Sequence, residues 1–352
     1  MKRILIVAPA WVGDAVMAQP LYQRLHDRYA DNVVIDVLAP AWTRPLHARM
    51  AEIDEAIDAP FGHGQLALLA RWKLGRQLAR RKYDQAILLP NSLKSALVPF
   101  FAGIPVRTGW LGESRYGLLN DWRKLDKAAL PRMVERFSAL AERAGKPVVH
   151  PIPNPRLEVD DSSCRAALAA LGLGAERPIL ALCPGAEYGP AKRWPARHAA
   201  ALARSMMALG VQVWLFGSNK DREICDEIVA LAPGVVDLAG KTTLAQAIDL
   251  MSLAHAVVCN DSGLMHVAAA LGRPLVAVYG SSSPKFTPPL SHKARIVTLN
   301  VECSPCFQRT CPLGHMKCLN DLGPDLVASA LRELVPALFE PPVIDIAPVP
   351  AP

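Results

Sequence analysis

The chain holds no apolar run of about eighteen residues, so no transmembrane helix is expected. Its opening, Met1-Lys2-Arg3 and then Ile4-Leu5-Ile6-Val7, is shorter than a secretory signal core of about seven to fifteen residues and reads as a strand. A cytosolic protein is expected. Aromatic residues make up only 6% of the sequence. No helix-turn-helix, zinc-finger or aromatic RNA-binding pattern is present, which makes nucleic acid the weaker choice of partner. After the first strand stands one glycine, Gly13, where a dinucleotide fingerprint G-x-G-x-x-G needs three. The turn Cys183-Pro184-Gly185-Ala186 fails that pattern as well. A G-x-x-x-x-G-K-[ST] loop and a G-x-S-x-G elbow are both missing, arguing against a P-loop NTPase and a serine hydrolase.

What is present is a long, apolar chain: 352 residues, 51% of them hydrophobic, enough for two cores. Apolar runs at Ile4–Val7, Val33–Leu38 and Gln85–Leu89 alternate with helical patterns around 15–29, 42–51 and 65–82. An irregular stretch follows from Asn91 to Asn120, then a helix near 131–145. A second series of strands is expected at Ile179–Leu182, Val211–Phe216, Val235–Leu238, Ala256–Cys259, Leu275–Tyr279 and Arg295–Leu299. Alternation of this kind predicts an α/β fold with parallel sheets covered on both faces. The expected organisation is a Rossmann-like domain over 1–150, a Pro-rich linker over 151–176, a second Rossmann-like domain over 177–340, and a disordered Pro-rich tail over 341–352.

Charge is divided unevenly. Residues 1–150 carry 22 Lys and Arg against 14 Asp and Glu; the remainder carries 17 against 18. Arg71, Lys73, Arg76, Arg80, Arg81 and Lys82 form the densest cluster, with Arg107, Arg115, Arg123, Lys124 and Lys127 beyond it. Such a half suits an anionic partner, a phosphorylated glycan or an acidic lipid headgroup, although a solvated helix face also fits the 71–82 cluster.

The most informative segment is Val257-Val258-Cys259-Asn260-Asp261-Ser262-Gly263-Leu264-Met265-His266. An apolar strand stops at a polar turn and an Ala-rich helix starts at once, with Ser262 or Asp261 available as cap and Gly263 allowing close backbone approach. The first-turn N–H groups of such a helix suit a phosphate. Asp14 occupies the matching place in the first half, at the strand-to-helix turn where open α/β sheets bind ligands, or else caps that helix. Lys192 and Arg193 follow another strand and suit a diphosphate, or form an ordinary exposed pair. Asp221 and Glu223 follow the next strand, placed for ribose hydroxyls or for helix capping.

Several blocks together carry a family resemblance: Pro9-Ala10-Trp11-Val12-Gly13-Asp14, the run from Leu89-Pro90-Asn91-Ser92-Leu93-Lys94-Ser95 through Ala102-Gly103-Ile104-Pro105, Arg107-Thr108-Gly109-Trp110 and Arg115-Tyr116-Gly117-Leu118-Leu119-Asn120-Asp121 in the first half. Cys183-Pro184-Gly185-Ala186-Glu187, Gly189-Pro190-Ala191-Lys192-Arg193-Trp194-Pro195 and Asn260 to His266 stand in the second. In this order, over residues 1 to about 290, the chain resembles the ADP-heptose:lipopolysaccharide heptosyltransferases, which are inverting GT-B glycosyltransferases. The blocks within 91–121 point to the branch that adds the second inner-core heptose.

The resemblance implies a GT-B fold, with the lipid-linked acceptor on the N-terminal domain and ADP-heptose on the C-terminal one. The implied acceptor is heptosyl-Kdo2-lipid A, met at the inner face of the inner membrane. Asp14 would be the general base, and Lys192 would neutralise the departing ADP, helped by N–H groups at Ser262, Gly263 and Leu264, so that no metal is needed for catalysis. Glu223 would take the ribose, Asp261 and His266 would shape the phosphate turn, and Lys94 and Arg115 would face the acceptor. His266 has a second reading as a buried helix histidine. A different core acceptor, a sugar-nucleotide epimerase or a non-catalytic nucleotide-sugar binder on the same fold are the rivals.

Four of the eight cysteines lie in Cys303-Ser304-Pro305-Cys306, Cys311 and Cys318, a C-x2-C-x4-C-x6-C spacing with His315 inside. A structural zinc site, an iron–sulfur ligand set and four free thiols are all compatible with it. Zinc is favoured among metals, and no catalytic role is expected.

Overall fold

Runs such as Ile4-Leu5-Ile6-Val7 and Ala256-Val257-Val258-Cys259 put apolar side chains on both sides of a pleat, which only a sheet covered on both faces can bury. The computed structural model describes residues 1–62 and 64–340 and places these runs inside two six-stranded sheets. The first contains β1 (Lys2–Val7), β2 (Val33–Ala39), β3 (Glu55–Asp58), β4 (Gln85–Leu88), β5 (Val106–Trp110) and β6 (Asp121–Arg123), in the order β3-β2-β1-β4-β5-β6. The second contains β7 (Ile179–Cys183), β8 (Gln212–Leu215), β9 (Val236–Asp237), β10 (Ala256–Asn260), β11 (Leu275–Val278) and β12 (Ala294–Val297), in the order β12-β11-β10-β7-β8-β9. Every pairing is parallel.

Both sheets have the same doubly wound order, reversing between β1 and β4 and between β7 and β10. Beyond the carboxyl ends of those strands lies the crevice in which such sheets bind ligands. Register sharpens the point. Val7 pairs with Leu88 and Cys183 with Cys259, so Ala8 leaves the sheet beside Leu89, and Pro184 beside Asn260.

All nine strands expected from the sequence are found, within a residue or two. The three missed are β3, β5 and β6. β3 and β6 are short edge strands, and β5 carries Arg107, Thr108 and Gly109 instead of an apolar run. The helix expected over 15–29 is two helices, Val12–Met17 and Gln19–Tyr29, because Pro20 lacks an N–H and starts a new first turn. Within the expected linker lies a helix, Asp161–Leu171. Asp160 caps it by accepting from the N–H groups of Ser162 and Ser163 at 3.0 Å, and Gly172 ends it at φ 63°. The Pro-rich tail lies outside the described residues.

A continuous apolar cluster runs from Ile4 in the first half to Tyr279 in the second. Along the same seam, helix Val12–Met17 packs on helix Gly263–Ala270. Arg49 Nη2 meets the buried Asp249 carboxylate at 2.6 Å, and the Met133 N–H donates to the Phe286 carbonyl at 3.0 Å.

Candidate active site

The switch point of the first sheet supplies Asp14. Trp11, extended at φ −89° and ψ 135°, ends the passage out of β1, and Asp14 falls in the first turn of the helix that follows. Its side chain is not a cap: no N–H or cation bonds the carboxylate among the described residues. Burial pushes the carboxyl up to about 6, Lys192 acting to lower it and Asp261 to raise it further. A carboxylate of this kind is basic enough to take a proton near neutral pH.

Both charges acting on Asp14 belong to the second half. Lys192 ends the short turn Pro190–Lys192 after β7, and Asp261 follows β10; Lys192 Nζ and Asp261 Oδ2 are 2.6 Å apart, both largely buried. Asn260, itself buried, ties the two loops together: Nδ2 donates to the Pro184 carbonyl at 2.7 Å and Oδ1 accepts from the Trp194 N–H at 3.1 Å. Gly189 is required where it stands, since at φ 154° an added β-carbon would lie 2.5 Å from the Arg309 carbonyl oxygen. Tyr188 carries Lys192 5.1 Å from its ring centroid and Arg309 at 5.2 Å.

Ser262 occupies the N-cap position of helix Gly263–Ala270, but neither it nor Asp261 caps the helix, contrary to the sequence reading. Asp261 is held by Lys192 instead, and among the described residues the first-turn N–H groups of Gly263 and Leu264 have no side-chain acceptor. His266, one turn on, is buried; burial pushes its imidazole down to about 4, with Asp261 opposing the shift. The ring is therefore neutral at physiological pH.

Beside Asp14 opens a cavity of about 400 Å³, bounded by Trp11, Trp42, Trp110, Lys94 and Arg136 among others. Lys94 lines this cavity. Arg115 does not, and its expected acceptor contact is withdrawn. It is fully buried and absent from the cavity wall, with its guanidinium donating to the carbonyls of Pro90 (2.8 Å) and Trp110 and to Ser95 Oγ (3.1 Å). Those bonds brace the loop that carries Lys94. Arg136 was missed. It sits in an ordinary-looking helix, Met133–Ser138, with its guanidinium over the Phe286 ring at 4.8 Å, and no sequence signal separates it from a surface arginine.

On the second sheet, Glu223 is exposed in the first turn of helix Arg222–Leu231. Asp221 folds back instead, accepting from Ser218 N and Oγ at 2.9 Å.

The cysteine segment lies against the Lys192 loop. The Tyr188 hydroxyl donates to the Phe307 carbonyl at 2.7 Å, and the Ala191 N–H to that of Arg309 at 3.1 Å. Cys303, Cys306, Cys311 and Cys318 are free thiols around one cavity of about 20 Å³, roughly the space of one atom. Backbone N–H groups, that of Met316 foremost, hold the Cys311 thiol below its usual range, whereas burial and then the other three sulfurs raise Cys318. Among the described residues no three His, Cys, Asp or Glu side chains are disposed to hold an ion.

Two facing doubly wound sheets, with charged loops at both switch points, define a two-lobed glycosyltransferase architecture. The family model "Glycosyltransferase family 9 (heptosyltransferase)" matches residues 71–317. The chain is 50% identical to lipopolysaccharide heptosyltransferase 2 of Escherichia coli K12 over 343 residues, covering 95% of this chain and 98% of the relative. It is 48% identical to lipooligosaccharide heptosyltransferase 2 of Haemophilus influenzae over 345 residues, covering 94% and 99%. The solved structure of E. coli ADP-heptose LPS heptosyltransferase II superposes with a TM-score of 0.86 at 48% identity, covering 97% of this chain and 100% of that one. The chain belongs to glycosyltransferase family 9, the heptosyltransferases, and is a glycosyltransferase of lipopolysaccharide core synthesis with the GT-B arrangement of two Rossmann-like sheets.

Proposed function

We propose that this enzyme transfers heptose from ADP-heptose to the first heptose of the lipopolysaccharide inner core, with inversion at the anomeric carbon and Asp14 as general base. The observation that carries the reading is the placement of Asp14, partly buried and unbonded, opposite the Lys192–Asp261 pair. A single inversion needs a base on the face away from the leaving group. Asp14 belongs to the half with the aromatic-walled cavity, which suits a sugar acceptor; Lys192 and the uncapped turn Ser262, Gly263 and Leu264 belong to the other half and suit a diphosphate. As the acceptor hydroxyl attacks, Asp14 takes its proton while Lys192 and the first-turn N–H groups meet the charge developing on ADP. Asp261 orients Lys192, His266 packs behind the turn as a neutral ring, and Glu223 reaches for the ribose. Lys94, and Arg136 on the wall of the same cavity, face the acceptor's anionic groups.

No metal takes part in this scheme. We propose that Cys303, Cys306, Cys311 and Cys318, where they bind zinc, do so structurally. Four thiols around one small cavity, one of them held below its usual range by backbone N–H groups, are the donor set zinc favours, although the side chains would have to draw inward. Bound zinc would cross-link the segment that supports Tyr188 and Ala191. No described helix is long and apolar enough to cross a membrane, and the enzyme is proposed to work peripherally at the cytoplasmic face of the inner membrane.

The test is ADP release from ADP-heptose with and without heptosyl-Kdo2-lipid A, in the presence of EDTA. Acceptor-dependent release that survives EDTA is expected. Release only with the unheptosylated acceptor overturns the acceptor assignment; consumption of donor without acceptor overturns the transferase reading.

A further inference from the structure

Between Asp58 and Asp84 the chain carries no carboxylate and six cations. The structure divides this stretch by face. On helix Leu68–Leu78, Arg71, Gly75 and Leu78 are buried at i, i+4, i+7. Arg71 is spent on the carbonyls of Leu66 (2.7 Å) and Lys94 (3.1 Å), and Arg81 on Asp36 and Glu55. The opposite face carries Leu69, Trp72, Lys73 and Arg76 at i, i+3, i+4, i+7, continued by Arg80. Leu66, Leu68, Leu69 and Trp72 are 53, 51, 64 and 46% exposed, and no described ion pair or hydrogen bond engages the side chains of Lys73, Arg76 or Arg80.

We propose that this face seats the enzyme on an anionic lipid bilayer, the leucines and Trp72 entering the headgroup layer and Lys73, Arg76 and Arg80 pairing with its phosphates. Apolar and cationic side chains on one exposed face, with no acid among them, are what such an interface selects. Gly64 and Arg71, from the same segment, line the cavity that opens beside Asp14, Arg71 from the helix's buried face. Docking by this segment would hold the enzyme on the surface that carries a lipid-linked sugar. The inference rests on the acceptor reading only for that last step.

The experiment is co-sedimentation of the full chain with vesicles that contain neither acceptor nor donor, either phosphatidylcholine alone or phosphatidylcholine with phosphatidylglycerol. Binding to the anionic vesicles that weakens with salt is expected. The triple variant K73E/R76E/R80E should lose on the order of tenfold or more in partitioning, and L69S/W72S should lose the salt-resistant part. Both should melt like the wild type. On a delipidated acceptor both should turn over at the parent rate, and on vesicle-embedded acceptor both should be slower. Variants that bind vesicles like the parent overturn the proposal, as do variants that change only self-association, which would make the face a contact between two copies. Because the binding arm needs no turnover, docking without acceptor-dependent ADP release from ADP-heptose supports the surface while sinking the acceptor reading.

Discussion

Gly13 and His266 touch across the junction of the two halves: a β-carbon on Gly13 would stand 2.8 Å from Cδ2 of the imidazole. The contact is matched one residue away, where a β-carbon on Gly263 would lie 2.9 Å from Cβ of Val12. Two helix starts therefore meet backbone to backbone, and this closeness lets Asp14 feel Lys192 and Asp261. Neither neighbour is a flexible chain end in open solvent, since His266 is buried. Gly13→Ala is expected to force the helices apart, at a cost of about 1–3 kcal/mol in urea unfolding, and to weaken donor turnover. Parent-like stability and rate would show the seam to be compliant.

Asp14 gives a pH prediction with a definite sign. Its folded-state value, about 6, lies above the ordinary 3.8, so the folded chain keeps a proton that the unfolded chain releases. Stability from this group is complete below about 3.8, falls as pH rises toward 6, and is absent at neutral pH. Asp14→Asn is expected to unfold later than the parent at pH 7, by on the order of 1–3 kcal/mol, with the difference vanishing in acid. It should keep ADP affinity while kcat/KM falls by about 10²–10⁴. In the parent, kcat/KM should rise with pH along a limb centred near 6. A stabilised variant that still turns over would remove Asp14 from the chemistry.

The same limb reports on its neighbours. Lys192 lowers the Asp14 value and Asp261 raises it, so Lys192→Met should move the acid limb to higher pH and Asp261→Asn to lower pH, beyond any loss of rate. Lys192→Arg should restore the limb more fully than the rate, because charge is kept and position is not. Limbs that stay put in both variants would show that the three charges do not share a site.

How much of this was legible in the sequence depends on what each residue had to do. Buried parallel strands need apolar residues at every position, so β1, β2, β7, β10 and β11 announce themselves; β3 and β6, at sheet edges with polar faces, do not. The positions of Asp14, Lys192 and Asp261 were visible because each lies in the loop or first turn that follows such a strand, and a doubly wound sheet binds ligands there. That they form one electrostatic unit was not visible, since it depends on how two helix starts cross. Arg115 shows the opposite limit. A cation within a basic half reads as a surface charge, and nothing in Glu113-Ser114-Arg115-Tyr116 tells whether the guanidinium meets solvent or carbonyl oxygens.

Arg115 yields the last prediction for that reason. Its fully buried guanidinium joins Pro90, Ser95 and Trp110, and each of them loses a donor if it is removed. Arg115→Ala should therefore cost about 3 kcal/mol or more, from a cavity and unpaired carbonyls together. Arg115→Lys keeps the charge but cannot span the same acceptors from a single ammonium, so most of that loss should persist. Because the braced loop holds Lys94 at the cavity wall, the lysine variant should raise KM for the acceptor while leaving that for the donor near the parent value. An equal rise in both would mean that the loop is tied to the Lys192 side of the seam as well.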